Sequence, residues 1–222
     1  MKLYLSSYKT GSNTEELKKW ISGHGNKITI IANAKDQYTD LARVEKGTLD
    51  DTSDLETVGF EVSRLDLRDY FGKKDALEEI FNKNTAFYVT GGNTFVLRKA
   101  MMLSGFDQLL ISNVDNPNLL YAGYSAGICL LSKDMHGVAI MDEPEVDPYN
   151  SGLPPIYEGI GFIEEAIIPH FESDHKETES ASRAAEYCKN NNISFIALHD
   201  GDVIVTEPYK LLMGTPENSI SI

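Results

Sequence analysis

Short apolar runs alternate with amphipathic stretches along most of this chain. Residues 2–6 read as a first β-strand, and Ser12-Asn13-Thr14-Glu15 fits a capping box with Ser at the N-cap and Glu three positions on. Leu17, Trp20 and Ile21 follow at helical spacing. Residues 27–32 form a β-branched apolar run, and 61–67 fit a strand. The pattern then predicts a helix over 75–81, a strand over 85–89, a helix over 94–102, a strand over 119–123 and a helix from 126 to 131. A strand over 166–168 ends before Pro169-His170. A polar-faced helix over 178–189 and a strand over 193–198 come next, and runs at 203–206 and 210–213 suggest a closing hairpin.

Strands alternating with helices imply an α/β fold in three layers, a mostly parallel sheet with helices on both faces and a small antiparallel C-terminal edge. The 222 residues suit one domain, with no internal repeat, low-complexity tract or linker. The longest irregular stretch, 142–158, is rich in Pro, Gly and Asp, and loops of that length are usually functional or mobile. In sheets of this kind ligands bind beyond the carboxyl ends of the strands, so the residues following each strand are the candidates for chemistry.

Charge narrows the range of partners. The formal net charge of −14 repels nucleic acid and anionic lipid at long range. No apolar run approaches the ~20 residues of a membrane span, and the start of the chain lacks a secretory signal. Two distant cysteines, Cys129 and Cys188, have no metal-binding spacing and read as reduced thiols of a cytoplasmic protein.

Gly123-Tyr124-Ser125-Ala126-Gly127 lies between an apolar strand and an apolar helical stretch, the context of a nucleophile elbow. There a tight turn lifts Ser125 above the sheet edge, and the Ala126 amide is placed to donate to a developing oxyanion. Gly91-Gly92-Asn93-Thr94 follows another strand, and Gly92 is the candidate second oxyanion donor. Neither a dinucleotide fingerprint nor a phosphate loop is present. Of five histidines, only His170 and His199 end strand-like runs, so both are candidate bases. A carboxylate should orient the imidazole, with Asp200 and Asp142 the choices and Glu172 more remote.

Taken together, Gly91-Gly92-Asn93-Thr94-Phe95, Gly123-Tyr124-Ser125-Ala126-Gly127 and Ile168-Pro169-His170-Phe171 resemble peptidase E, the aspartyl dipeptidase family of serine peptidases. That family has a fold similar to class I glutamine amidotransferases, with Ser replacing the usual Cys. The resemblance implies Ser125 as nucleophile and His170, rather than His199, as base. For the acidic member it implies either Asp200, in an Asp200-Gly201 turn, or Asp142, after the nucleophile helix, with Asp200 favoured. Aspartyl-specific members are expected to carry a basic residue after the histidine segment, where this chain aligns Glu179; Lys176 and Arg183 lie nearby. The expectation is therefore a hydrolase of small peptides preferring a basic or neutral residue, a monomer or homodimer, needing no cofactor or metal. The alternatives are a cyanophycinase-like hydrolase and an inactive binding or regulatory relative.

Overall fold

A computed structural model describes residues 1–207; the predicted run at 210–213 lies outside the described residues. The chain forms β1 (Lys2–Ser6), α1 (Glu15–His24), β2 (Lys27–Ile31), α2 (Leu41–Val58), β3 (Glu61–Arg64), α3 (Lys74–Phe81), β4 (Ala86–Val89), α4 (Thr94–Ser104) and α5 (Phe106–Ser112). There follow β5 (Leu120–Tyr124), α6 (Ala126–Cys129), β6 (Ala166–Ile168), α7 (Thr178–Asn190), β7 (Phe195–Ala197) and β8 (Val203–Thr206). Six strands make one sheet in the order β3-β2-β4-β5-β1-β8. It is parallel except for the edge strand β8, which runs antiparallel to β1.

Both faces of the sheet are buried along β1, β2, β4 and β5, which is why these strands read as near-continuous apolar runs, whereas the edge strand β3 is largely exposed. Successive side chains alternate between faces. Leu3 and Leu5 of β1, Phe87 and Val89 of β4 and Tyr121 of β5 face the core shared with α3, α4 and α5. Tyr4, Tyr88, Leu120 and Ala122 face the opposite core, filled by Leu17 and Trp20 of α1 and Leu55 of α2. β6 and β7 do not join this sheet. They pair in parallel with one another, and the alanine-rich face of α7 packs on them through Ala181, Ala184 and Ala185.

Two local readings are corrected. The first helix starts at Glu15 behind Thr14, with no side-chain cap bond. Ser12, the expected cap, instead donates its hydroxyl to the Gly201 carbonyl at 2.6 Å, tying the β1–α1 loop to the β7–β8 turn. The second is α2, which the apolar pattern does not announce. Its buried face carries Thr48 and Asp51 beside Leu55, so polar residues occupy positions that periodicity reserves for apolar ones. Asp51 is satisfied across the sheet edge: Lys35 Nζ lies 2.6 Å from its carboxylate, and the Tyr124 hydroxyl donates to it at 3.1 Å.

The 142–158 stretch contains no helix or strand and is strapped to the body by polar contacts. The Asp142 carboxylate accepts the Thr94 N–H at 2.8 Å, Asn93 Nδ2 donates to the Glu143 carbonyl at 3.0 Å, and the Tyr149 hydroxyl donates to Asp36 at 2.8 Å. Desolvation of its inward-turned carboxyl raises Asp142 from 3.8 to about 6, against the lowering effect of Thr94, with the charge of Glu177 adding to the rise.

Two tests follow from these buried carboxyls. Asp51→Ala leaves Lys35 without its partner and the Tyr124 hydroxyl unsatisfied, and should cost about 3 kcal/mol in urea unfolding at neutral pH. For Asp142, the folded chain holds the proton up to about pH 6, whereas an unfolded aspartate releases it near 3.8. Protonation therefore favours the folded state; this contribution is complete below about pH 4 and is lost as pH rises through 6. Asp142→Asn should abolish up to roughly 3 kcal/mol of the stability decline between pH 4 and 7. Urea unfolding across that range checks it, and an unchanged pH slope would contradict it.

Candidate functional site

The site lies at the carboxyl ends of three neighbouring strands, β4, β5 and β1, capped from the side by the β6–β7 unit. β5 ends in Tyr124, and Ser125 turns the chain abruptly into α6 with φ 48° and ψ −119°. For a non-glycine residue this is a strained backbone, held by its surroundings. The surroundings are tight: a Cβ at Gly123 would meet the Val89 carbonyl oxygen at 2.7 Å, and one at Gly127 would come closer still to the same atom. Glycines on either side of Ser125 thus let β4 and the elbow pack backbone to backbone. Ser125 is only 8% exposed.

The second glycine turn follows β4. Gly92 has φ 148°, and a Cβ there would run into the Ala34 carbonyl. A Cβ at Gly91 would lie 3.1 Å from Ser125 Cβ, so this turn sits directly beside the elbow. Asn93 caps α4, its side-chain oxygen accepting the Phe95 and Val96 amides at 2.9 and 3.0 Å. Among the described residues no group accepts the Ala126 or Gly92 N–H.

His170 follows β6 with φ 61° and is buried at 1% exposure. Its Nδ1 lies 2.7 Å from Asp200 Oδ1. A carboxylate only accepts, so Nδ1 is the donor in this pair, and in the neutral ring the lone pair is on Nε2. Ser7, the residue just past β1, accepts the His170 amide at 2.9 Å, and its hydroxyl lies 3.0 Å from Asp200 Oδ1 and 3.3 Å from the Leu198 carbonyl. The Asp200 amide donates to Ser173 Oγ at 2.8 Å. Three segments distant in sequence therefore meet at His170, with Asp200 bonded to its ring and Ser7 to its amide.

Of the other candidates, Asp142 bonds Thr94 at the start of α4 and no histidine. His199 is exposed, with its amide bonded to Asp202. Glu172 is exposed. Glu179 is turned outward, its side chain 86% exposed and paired with Arg183. A second carboxylate approaches the histidine from its other side: Glu177 Oε2 lies 3.8 Å from His170 Nε2, with Oε1 3.3 Å from Lys176 Nζ. The His175 ring stacks on His170 at 3.8 Å. Tyr8 sets its ring edge-on to both His170 and Tyr124, at centroid distances of 5.9 and 6.0 Å, spanning the gap between the imidazole and the elbow. Among the described residues Ser125 Oγ makes no hydrogen bond to His170; such bonds commonly tighten only in the substrate complex. Cys129, one helical turn beyond Ser125, is a buried thiol whose pKa burial pushes well up.

Sequence reasoning missed Ser7, Tyr8, His175 and Glu177. Ser7 had a usable signal, since it ends a central parallel strand. The others lie on loops or at a helix start, and nothing in their spacing places them at the site.

Among the described residues no helix is long and apolar enough to cross a membrane. An uncharacterized peptidase of Listeria innocua, Lin0382, is 26% identical over 183 residues, 82% of either chain. The peptidase E of Streptomyces coelicolor is 27% identical over 155 residues, covering 68% of this chain and 60% of its own. In fold, the chain resembles the crystal structure of a candidate peptidase E protein from Listeria monocytogenes EGD-e, with a TM-score of 0.71, 22% identity and coverage of 92% and 93%. A peptidase from an acI-B1 Actinobacterium follows at TM-score 0.64 and 18% identity, over 93% of this chain and 83% of that one. The model of peptidase family S51 matches residues 6–212, and the chain belongs to that family, a hydrolase of the peptidase class.

Proposed function

We propose that the protein cleaves small peptides, dipeptides foremost, by acyl transfer through Ser125, with His170 as base and Asp200 as its orienting carboxylate. The observation that carries this reading is the 2.7 Å contact between His170 Nδ1 and Asp200, which leaves the Nε2 lone pair as the one proton acceptor of a buried ring. The strained, glycine-flanked turn at Ser125 supplies the matching nucleophile.

The chemistry runs as follows. Nε2 of His170 takes the Ser125 proton as Oγ attacks the scissile carbonyl carbon. The carbonyl oxygen gains the negative charge and receives the Ala126 and Gly92 amides, donors worth about 3–4 kcal/mol each in such sites. The imidazolium, stabilised by Asp200, then gives its proton to the departing amine, leaving an ester on Ser125. Water, deprotonated by His170, attacks the ester, and His170 returns that proton to Ser125 Oγ as the acyl group leaves as the free acid. Asp142, tied to the α4 N-terminus, takes no part in orienting the base. Glu177 at the mouth disfavours a substrate carboxylate, so the preference runs to neutral or basic amino-terminal residues.

Two experiments bear on this. Ser125→Ala should fold as the wild type does and lose at least about 10³-fold in kcat on a dipeptide panel, in which wild type turns over Ala-Leu and Arg-Leu faster than Asp-Leu. Retained turnover would remove Ser125 from the mechanism, and equal or better cleavage of Asp-Leu would remove the charge argument. Asp200→Asn presents an amide donor to Nδ1, moving the proton to Nε2, and should cost about 10³–10⁴-fold in kcat with little change in KM. Unaltered kcat would separate Asp200 from catalysis.

A further inference from the structure

The environment that makes His170 a base also makes it a metal ligand. Its ring is buried, its Nδ1 is committed to Asp200, and Nε2 presents a lone pair. A carboxylate behind a histidine in this way is the usual outer support of a metal-binding imidazole, fixing the tautomer and raising basicity at the outward nitrogen. Two further donors lie close to this ring, Glu177 on its Nε2 side. One ligand atom from each of His170, His175 and Glu177 can be chosen so that all three lie within 4.8 Å of one another.

From these contacts we infer that His170, His175 and Glu177 form a binding site for a divalent transition ion of the zinc type, and that occupancy switches the peptidase off. The distances favour an ion over direct bonding. Glu177 Oε2 stands 3.8 Å from His170 Nε2, too far for a hydrogen bond. Zinc binds nitrogen at about 2.0–2.1 Å and carboxylate oxygen at about 2.0–2.2 Å, so two donors on one tetrahedral ion sit roughly 3.3–3.5 Å apart, and Glu177 need close by only a few tenths of an ångström to reach that spacing. Two imidazoles and one carboxylate match the ligand preference of zinc and leave a fourth position for water. The carboxylates of Asp200 and Glu177 favour a dication between them, and Lys176, at 3.3 Å from the other Glu177 oxygen, lies on the solvent side.

His175 must move for this to happen. Its ring stacks nearly parallel to that of His170, at 10°, so the in-plane lone pairs do not converge as they stand. The one hydrogen bond its ring makes is accepted from the Glu177 amide at 3.2 Å. Rotation of a half-buried loop side chain exchanges the stack and that bond for a metal–nitrogen bond. The ion then occupies the Nε2 lone pair that must receive the Ser125 proton, so metal and catalysis exclude each other. The inhibitory part rests on the proposed role of His170; the binding part does not.

The test separates the two on the full chain. Zinc is titrated by calorimetry into Ser125→Ala protein, alone and combined with His175→Gln or Glu177→Gln. One equivalent should bind with micromolar affinity, weakened at least about 10-fold by either second substitution, while a His136→Gln control leaves it unchanged. No binding, or binding indifferent to both substitutions, overturns the site. On protein with Ser125 intact, zinc should inhibit dipeptide cleavage reversibly, chelator restoring it, and His175→Gln should raise the half-inhibiting concentration at least about 10-fold. Zinc bound at this site with turnover undiminished would overturn the switch. A wild-type protein with no turnover would instead count against the peptidase mechanism, the calorimetry still deciding the site.

Discussion

The close approach of the Val89 carbonyl to the backbone at Gly123 and Gly127 governs the geometry of the site. β4 and β5 are paired in register up to Val89 and Gly123, and beyond that point the chain must leave the sheet without losing contact with its neighbour. Any side chain at either position would push the two strands apart. With glycine at both, the turn stays pressed against β4, and Ser125 between them takes up a conformation that a freely exposed serine would leave. The same pressing brings Gly91 beside Ser125, so two glycine turns and one strained serine form a unit.

A second, polar constraint acts on the imidazole. Ser7 follows β1, His170 follows β6, and Asp200 follows β7, and each is bonded to another of the set. The main sheet and the smaller sheet therefore meet through hydrogen bonds of Ser7 to the His170 amide and to the carboxylate that holds its ring. Buried polar groups of this kind are costly unless satisfied, and fully satisfied networks hold a unique geometry. Asp51 serves similarly at the outer side of the elbow, joining α2 to the hydroxyl of Tyr124, the residue before Ser125. The elbow is thus braced on one side by backbone packing and on the other by a buried ion pair.

A lone pair held outward by a carboxylate is a general-purpose acceptor. Whether it receives a serine proton or a metal ion depends on what stands in front of it, and here both Glu177 and His175 stand close. On the proposed readings, peptide hydrolysis and metal capture would draw on the same nitrogen. Glu177 stands 3.8 Å from that nitrogen, so its charge enters both proposals.

Local chemistry settled much of this in the sequence alone. Apolar runs marked the buried strands, because a sheet covered on both faces needs them, and the glycine turns at 91–92 and 123–127 marked where backbones approach. Ser125 was legible because an elbow is a local structure, with its strand, glycines and helix contiguous in the chain. The helix at 41–58 was not legible, since the burial of Thr48 and Asp51 is compensated by Lys35 and Tyr124, residues that come near only on folding. Nor did periodicity show that β6 and β7 form a sheet of their own, because strand partners are chosen by long-range packing. Spacing preferred His170 over His199 only modestly, and Asp142 stood as second choice to Asp200. Tertiary structure distinguished them, burying one ring against one carboxylate and turning the others to solvent or to a helix amide. The physical reason is that hydrogen bonds between distant segments depend on where the chain returns in space, which the order of residues along it does not display.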